Sequence, residues 1–408
     1  MVSSRAIDIA GAPPAPSEQA QRGYQPALDG LRALAVFAVM AYHVALPFAV
    51  GGWIGVDVFF VLSGFLITRV LMSVHVGPWR RSLRSFYLRR ALRLLPALVV
   101  LLAFTFVSYA IVGPHTLATR QTLVGVPASF FYVANWLPAL GITNLGFLGH
   151  MWSLSVEEHF YMLWPMLFRA LWSASPRRTA KRVALALGAA AAYRVYLVAS
   201  GASLNRLYTG TDARAEELFV GCLLAVLFTA GLSRLAARRP MLWHCAAFIA
   251  VVGLVGAAIA LPVGSRFVPR GGSTLIELAA ALVIANIVLF PRAIVSRLLA
   301  FRPLVWLGRR SYGIYLWHLP LGGLAAALVP VGDPLARFFN TALIWVATIS
   351  VAALSYRFVE RPFMSAHPPR TAIEELDLRR TMTRPEVDQA VVDPAWQSVP
   401  AQSLARAR

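Results

Sequence analysis

Four side chains with chemical potential sit in the first hydrophobic stretch of the chain. Arg32, His43, Asp57 and Ser63 fall within LDGLRALAVFAVMAYHV, a short LPFAVGG connection, and WIGVDVFFVLSGFLIT. An ionisable side chain in an apolar helix is costly unless it is paired or wetted, so each of these needs a partner or a pocket. Arg32 and His43 are eleven residues apart. That is close to three helical turns, which places them on one face with about 16 Å of rise between them. Asp57 returns on the next helix at a depth expected to match that of His43, which is expected to sit over halfway through its span. Singly, Arg32 reads as a membrane-edge charge and His43 as a satisfied core histidine. Grouped, they offer a base and a carboxylate able to orient it. Ser63, two turns below Asp57, is expected to line the same path.

Three further clusters extend this set. In FYLRRALRLLPA, Arg90 and Arg93 share a helix face beside Arg89. Spacing alone suits ordinary charge anchoring, but the planar forks of arginines also suit a phosphate clamp. In GHMWSLSVEEHFYMLWP, the residues Trp152, Ser153, Glu157, Glu158, His159 and Tyr161 open a helix on the side of the membrane opposite those arginines. One early glutamate complements the helix dipole; two adjacent ones need a wet pocket or basic partners. In SYGIYLWHLP, Tyr312, Tyr315, Trp317 and His318 lie along one apolar run, and a mid-span Trp-His pair does not fit an interfacial aromatic belt. His318 is the only rival to His43 at depth. Asp212, Arg214, Glu216 and Glu217 in TDARAEELFVG read as a self-satisfied ion-pair cap. Glu360-Arg361-Pro362 reads as a helix terminus.

These residues must be positioned by a membrane bundle. The 408 residues are 58% hydrophobic and 14% charged, with a mean hydropathy of +0.64. That composition belongs to polytopic membrane proteins. The net charge of +20 does not indicate nucleic acid, because the basic residues cluster in short loops between apolar runs. The two cysteines, Cys222 and Cys245, imply neither a disulfide framework nor a metal site. The first apolar run leads straight into a second one, so no cleavable leader is expected. Ten runs are long enough to span: 31–49, 53–72, 94–113, 153–171, 183–200, 214–230, 242–262, 274–290, 311–329 and 337–357. An eleventh, 122–140, is broken by Pro127, Asn135 and Pro138 and is expected to stay within a long loop as a short helix. Segments 73–93, 173–182, 231–240 and 291–310 hold eighteen basic residues against five in the alternating loops. That bias puts the first set, and both termini, in the cytoplasm. The fold class is therefore an all-α bundle of about ten transmembrane helices over 27–363. Residues 1–26 and 364–408 are expected to be disordered cytoplasmic tails, with a short helix possible in composition at 372–381.

With these motifs in place the chain resembles the acyltransferase 3 family of bacterial integral-membrane O-acyltransferases. The likeness rests on Arg32 and His43 at their spacing, on GGWIGVDVFFVLSGFLI (51–67), on the RxxR of FYLRRALRLLPA, on WSLSVEEHFYMLWP (152–165), on GRRSYGIYLWHLP (308–320) and on LSYRFVERPF (354–363). The six follow in order and cover nearly the whole chain from 26 to 363. Where the family has glutamine in the fourth motif this chain has His159, which removes His159 from any general role. The resemblance implies transfer of an acetyl or larger acyl group from acyl-CoA, acetyl-CoA first among donors, to a hydroxyl. The acceptor it implies is a cell-envelope glycan or a glycosylated natural product such as a macrolide. The extracytoplasmic esterase-like domain fused to some members is expected to be absent here.

The resulting expectation places acyl-CoA phosphates on Arg32, Arg90 and Arg93, with no metal. His43, oriented by Asp57, acts as general base on the acceptor or carries the acyl group covalently. Ser63, Trp152, Glu157, Glu158, Tyr161, Trp317 and His318 line the pocket, with Glu157 and Glu158 binding the acceptor or pairing with one of its arginines. Two other classes compete. A proton-coupled transporter would also bury His, Asp and Arg, but no repeat or matched pair of broken helices is visible. A non-catalytic scaffold would not need so many costly buried charges.

Overall fold

The apolar runs of the sequence are the helices of the structure. The computed structural model describes residues 24–74, 79–113, 115–328 and 334–365, and no strand occurs among them. The expected tails fall almost wholly outside these residues, as does the 372–381 segment. Ten described helices have 16 residues or more: α1 Pro26–His43, α2 Ile54–Val74, α3 Trp79–Val112, α4 Met151–Leu171, α5 Pro176–Ala199, α6 Ala215–Ala230, α7 Pro240–Ala260, α8 Ser273–Leu289, α9 Ser311–Leu328 and α10 Pro334–Ser355. Each coincides with one of the ten runs. The protein is an all-α polytopic membrane protein.

The ten are not equivalent. Six helical stretches, built on α2, α3, α5, α7, α8 and α10, are long and apolar enough to cross a membrane by themselves. α6 becomes a seventh only together with the helix Leu232–Arg238, which follows it at a 76° bend. The remaining three, α1, α4 and α9, carry Arg32 and His43, Glu157 and Glu158, and Tyr315 and His318. A helix that faces other helices can hold polar groups that lipid would reject. The segment between α3 and α4 holds the helix Leu117–Phe130, begun by a capping box between Thr116 and Thr119. Its 14 residues rise only about 21 Å, short of the ~30 Å hydrocarbon layer.

Two local features set the stage for the site. First, α1 ends at His43 rather than near residue 49. Leu46 N–H closes back on Ala41, Ala45 takes the left-handed conformation at φ 55°, and Pro47 follows, so the helix cannot continue. His43 therefore stands exposed in the last turn, not midway through the span. The connection is pinned by Trp53 Nε1–H to the Leu261 carbonyl at 3.0 Å and by Gly51 N–H to Ala258 at 2.9 Å. Second, α2 and α6 meet backbone to backbone. A Cβ at Gly64 would strike the Leu218 carbonyl, and one at Gly221 would strike that of Val61. Small residues at such a crossing let the helices close on each other. That approach decides where Asp57 points.

Candidate active site

The arginines reach deeper than their position at the start of an apolar run suggests. α3 is 34 residues long, and Arg90 lies eleven residues, about 17 Å, beyond Trp79. Arg90 and Arg93 therefore sit within the bundle, where they line one cavity together with Arg32 of α1. Ser63 of α2, Ser153, Glu157 and Tyr161 of α4, and Tyr312 and Tyr315 of α9 complete its polar wall. Arg90 is held in place: its Nε and Nη2 donate to Glu158 Oε1 at 3.2 and 3.1 Å, and its guanidinium lies over the Tyr161 ring. Arg32 leans on Asp29 at 3.4 Å. Ser63 Oγ donates to Glu157 Oε1 at 2.7 Å. Arg93 is exposed to the cavity and has no hydrogen bond or ion pair among the described residues.

This corrects the expectation of two separate polar layers. Glu157 and Glu158 lie about 10 Å into α4, deep enough to meet the arginines of α3. The alternative in which the glutamates pair with a pocket arginine is the one found for Glu158.

At the opposite end of the cavity the wall is formed by Ser153 and Tyr315, whose hydroxyls are 2.6 Å apart. The Tyr315 carbonyl holds His318 Nδ1 at 2.6 Å. His318 Nε2 in turn lies 3.1 Å from His43 Nδ1, which also lies 3.0 Å from the Val39 carbonyl. A carbonyl can only accept, so His318 carries its proton on Nδ1 and His43 carries its own on Nδ1. His43 Nδ1–H is then shared between Val39 and the lone pair of His318. Among the described residues the Nε2 lone pair of His43 is left open, at an exposed helix end. His150, buried, stacks edge-on against His318 with ring centres 4.9 Å apart and sets its Nε2 on the Leu316 carbonyl at 3.2 Å. Sequence reasoning did not single out His150. Its position before α4 gave no sign that it would meet α9.

Asp57 does not orient His43. Its carboxylate bonds Arg214 Nη2, and among the described residues it makes no hydrogen bond to His43. Arg214 also pairs with Glu217 at 2.9 Å, so the expected cap is only partly self-satisfied and reaches across to α2. The reason is angular: Asp57 and Ser63 are six residues apart, about 240° around α2, so they cannot share a face. Ser63 faces α4 and the arginine cavity; Asp57 faces α6, drawn close by the Gly64–Gly221 crossing. Arg194 of α5, overlooked in the sequence, pairs with Glu216 at 2.6 Å and donates to Thr274 at 2.7 Å.

A second cavity opens beside this ion network, lined by Tyr42, Arg194, Asn205, Tyr208, Arg214 and Ser273 among others. Trp152 stands between the two cavities. Its ring packs on Tyr208 at 4.8 Å and Phe60 at 5.9 Å, with the Arg214 guanidinium 5.5 Å away. Trp317 is buried against Phe104 and lines neither cavity. His159 bonds Thr211 at 2.8 Å, a tie between α4 and the segment before α6. Glu360 is buried in the helical turn Tyr356–Glu360 that follows α10 and accepts from Ser355 at 3.4 Å.

Residues 25–357 match the family model described as an acyltransferase domain, the third of that name. The chain belongs to the acyltransferase 3 family. It is 36% identical over 355 residues to the peptidoglycan O-acetyltransferase OatA of Listeria monocytogenes, covering 84% of this chain and 56% of that protein. It is also 36% identical over 353 residues to the putative peptidoglycan O-acetyltransferase YrhL of Bacillus subtilis, covering 83% and 55%. With the O-acetyltransferase OatA of Staphylococcus aureus it shares 30% over 357 residues, 83% of this chain and 57% of that one. The chain thus spans little more than half the length of these curated relatives. No solved structure matches it. The matched acyltransferase 3 region contains both cavities and the histidine pair that stands beyond the wall of the first.

Proposed function

We propose that this chain is an integral-membrane O-acyltransferase that moves a short acyl group, acetyl first, from acyl-CoA to a carbohydrate hydroxyl. The observation that carries the reading is the first cavity. One end holds three arginines, one of them unpaired; the other is walled by Tyr315, whose carbonyl anchors His318 against His43. The unpaired Arg93, with Arg32 and Arg90, suits the phosphates of CoA, since charge-assisted contacts to guanidinium are strong and directional. The thioester arm then runs toward the Ser153–Tyr315 wall.

At that end the His43 Nε2 lone pair takes the proton of the acceptor hydroxyl. The hydroxyl oxygen forms the new C–O bond, the C–S bond breaks, and the thiolate leaves to be protonated as CoA. His318 and the Val39 carbonyl together keep the His43 proton on Nδ1, so the lone pair always faces outward. They do the work that a carboxylate does in a catalytic triad, without its charge. A covalent acyl-histidine would start from the same tautomer. The relatives' names as peptidoglycan O-acetyltransferases support a glycan acceptor. A glycosylated small molecule offers the same hydroxyl chemistry.

Purified protein given acetyl-CoA and a panel of hydroxylated saccharides should release thiol in step with ester formation. Thiol release that no acceptor stimulates would refute transfer. The charge bias supports a cytoplasmic location for the arginine end and both termini. A reporter active only outside the membrane, fused after Arg408, should stay silent, and activity there would invert the layout.

A further inference from the structure

The second cavity has no part in the steps above, and its chemistry differs from that of the first. Both of its arginines are already engaged: Arg194 with Glu216, Arg214 with Asp57 and Glu217. Three carboxylates thus answer two guanidinium groups, and among the described lining residues no free cation remains for an anionic ligand. Apart from one buried guanidinium N–H, the groups left open are neutral. The hydroxyls of Tyr42 and Tyr208 make no hydrogen bond among the described residues. The side chain of Asn205 is exposed and likewise open. Arg214 Nε, buried, has no hydrogen-bond partner among the described residues. The tyrosine rings are braced. Tyr208 packs on Trp53 and Trp152 with ring centres 6.0 and 4.8 Å apart, and Tyr42 packs edge-on to His43 at 5.2 Å.

We infer that the second cavity is the acceptor site and that it selects an uncharged, hydroxyl-bearing sugar ring. Rigid aromatic faces take the apolar side of such a ring, while phenol and amide groups meet its hydroxyls. Tyr42 carries the pocket to the neighbour of the base, so a ring seated there presents its free hydroxyl toward His43. An acidic sugar would bring its carboxylate to a wall whose two guanidinium groups are already paired. This assignment rests on the transfer reading for the identity of the second substrate, and its test separates the two.

Full-length protein in lipid nanodiscs is titrated with chitotetraose, a neutral probe, and with a glucuronate-bearing tetrasaccharide. Tryptophan emission is followed because Trp53 and Trp152 border the site. Tyr208→Phe removes one hydroxyl and Asn205→Ala one amide, and thermal melting checks that both variants remain folded. Chitotetraose should bind the wild type more tightly than the acidic probe does, and each variant should weaken it about tenfold while acetyl-CoA affinity stays unchanged. No binding of chitotetraose, tighter binding of the acidic probe, or unaltered affinity in both variants would overturn the assignment. Thiol release from acetyl-CoA with saccharide affinity unmoved in the variants would overturn the pocket and leave the transfer reading standing. Saccharide binding lost in the variants, with no thiol release by the wild type, would do the reverse.

Discussion

The two cavities of this bundle lie on either side of Trp152 and are built on opposite electrostatic plans. In the first, Arg32, Arg90 and Arg93 share a wall with Glu157, and Arg93 forms no hydrogen bond or ion pair among the described residues. In the second, Arg194 and Arg214 are cancelled by carboxylates, and phenol and amide groups are what remain open. Counting arginines would treat these regions as alike. Counting what each arginine is already bonded to separates a pocket for an anion from a pocket for a neutral ring. His43 and His318 stand outside both lists of charge partners, and their tautomers are set by backbone carbonyls.

The largest effect should come from the base. His43→Ala should leave a folded, inserted protein whose turnover falls by about 10²–10⁴, the range for losing a general base. His43→Gln should fare no better, although it can keep a hydrogen bond to Val39. Near-normal turnover in a well-expressed His43→Gln variant would make His43 a structural tie and move attention to His318.

Next in size is a stability effect with little catalytic content. Asp57→Ala removes the cross-helix partner of a buried guanidinium that keeps Glu217, which should cost about 1.5–3 kcal/mol of stability. Thermal melting in detergent should show the loss, while the KM for acyl-CoA in the surviving fraction stays near the wild-type value. A stable Asp57→Ala protein with collapsed turnover would restore Asp57 to the catalytic group and contradict the Arg214 pairing.

Arg93→Ala sharpens the contrast between the pockets. Losing an unpaired guanidinium from the anion site should weaken acyl-CoA by about 1.5–3 kcal/mol, tenfold or more, with acceptor affinity unchanged. Arg93→Lys should recover only part, because the planar fork is gone. Arg90→Ala should be harder to interpret kinetically, since it strands Glu158. Unchanged donor affinity in Arg93→Ala would return the cluster to topological anchoring.

The smallest change is expected at His318. His318→Ala leaves Val39 holding the His43 proton, so turnover should fall about tenfold, with the pH–rate profile of His43 displaced and both substrate affinities intact. An unaltered profile would remove His318 from the positioning role.

The sequence alone determined a good deal here. Ten apolar runs became ten helices because in lipid every backbone group must be satisfied within its own segment, so hydropathy reads out almost directly as structure. The Arg32–His43 face and the Arg90–Arg93 face were legible because they depend only on the helical period. What each side chain meets was decided elsewhere. Asp57 was assigned to His43 because the two are near in the sequence and at similar depth, but the crossing of α2 and α6 at Gly64 and Gly221 turns it to Arg214. His150 and His318, 168 positions apart in the numbering, were joined to His43 only by the packing of α9 against α1 and the start of α4. Period and polarity fix which way a side chain leaves its own helix. Which partner stands there depends on long-range helix crossings, and these follow from close-packed small residues whose contacts carry no local signature.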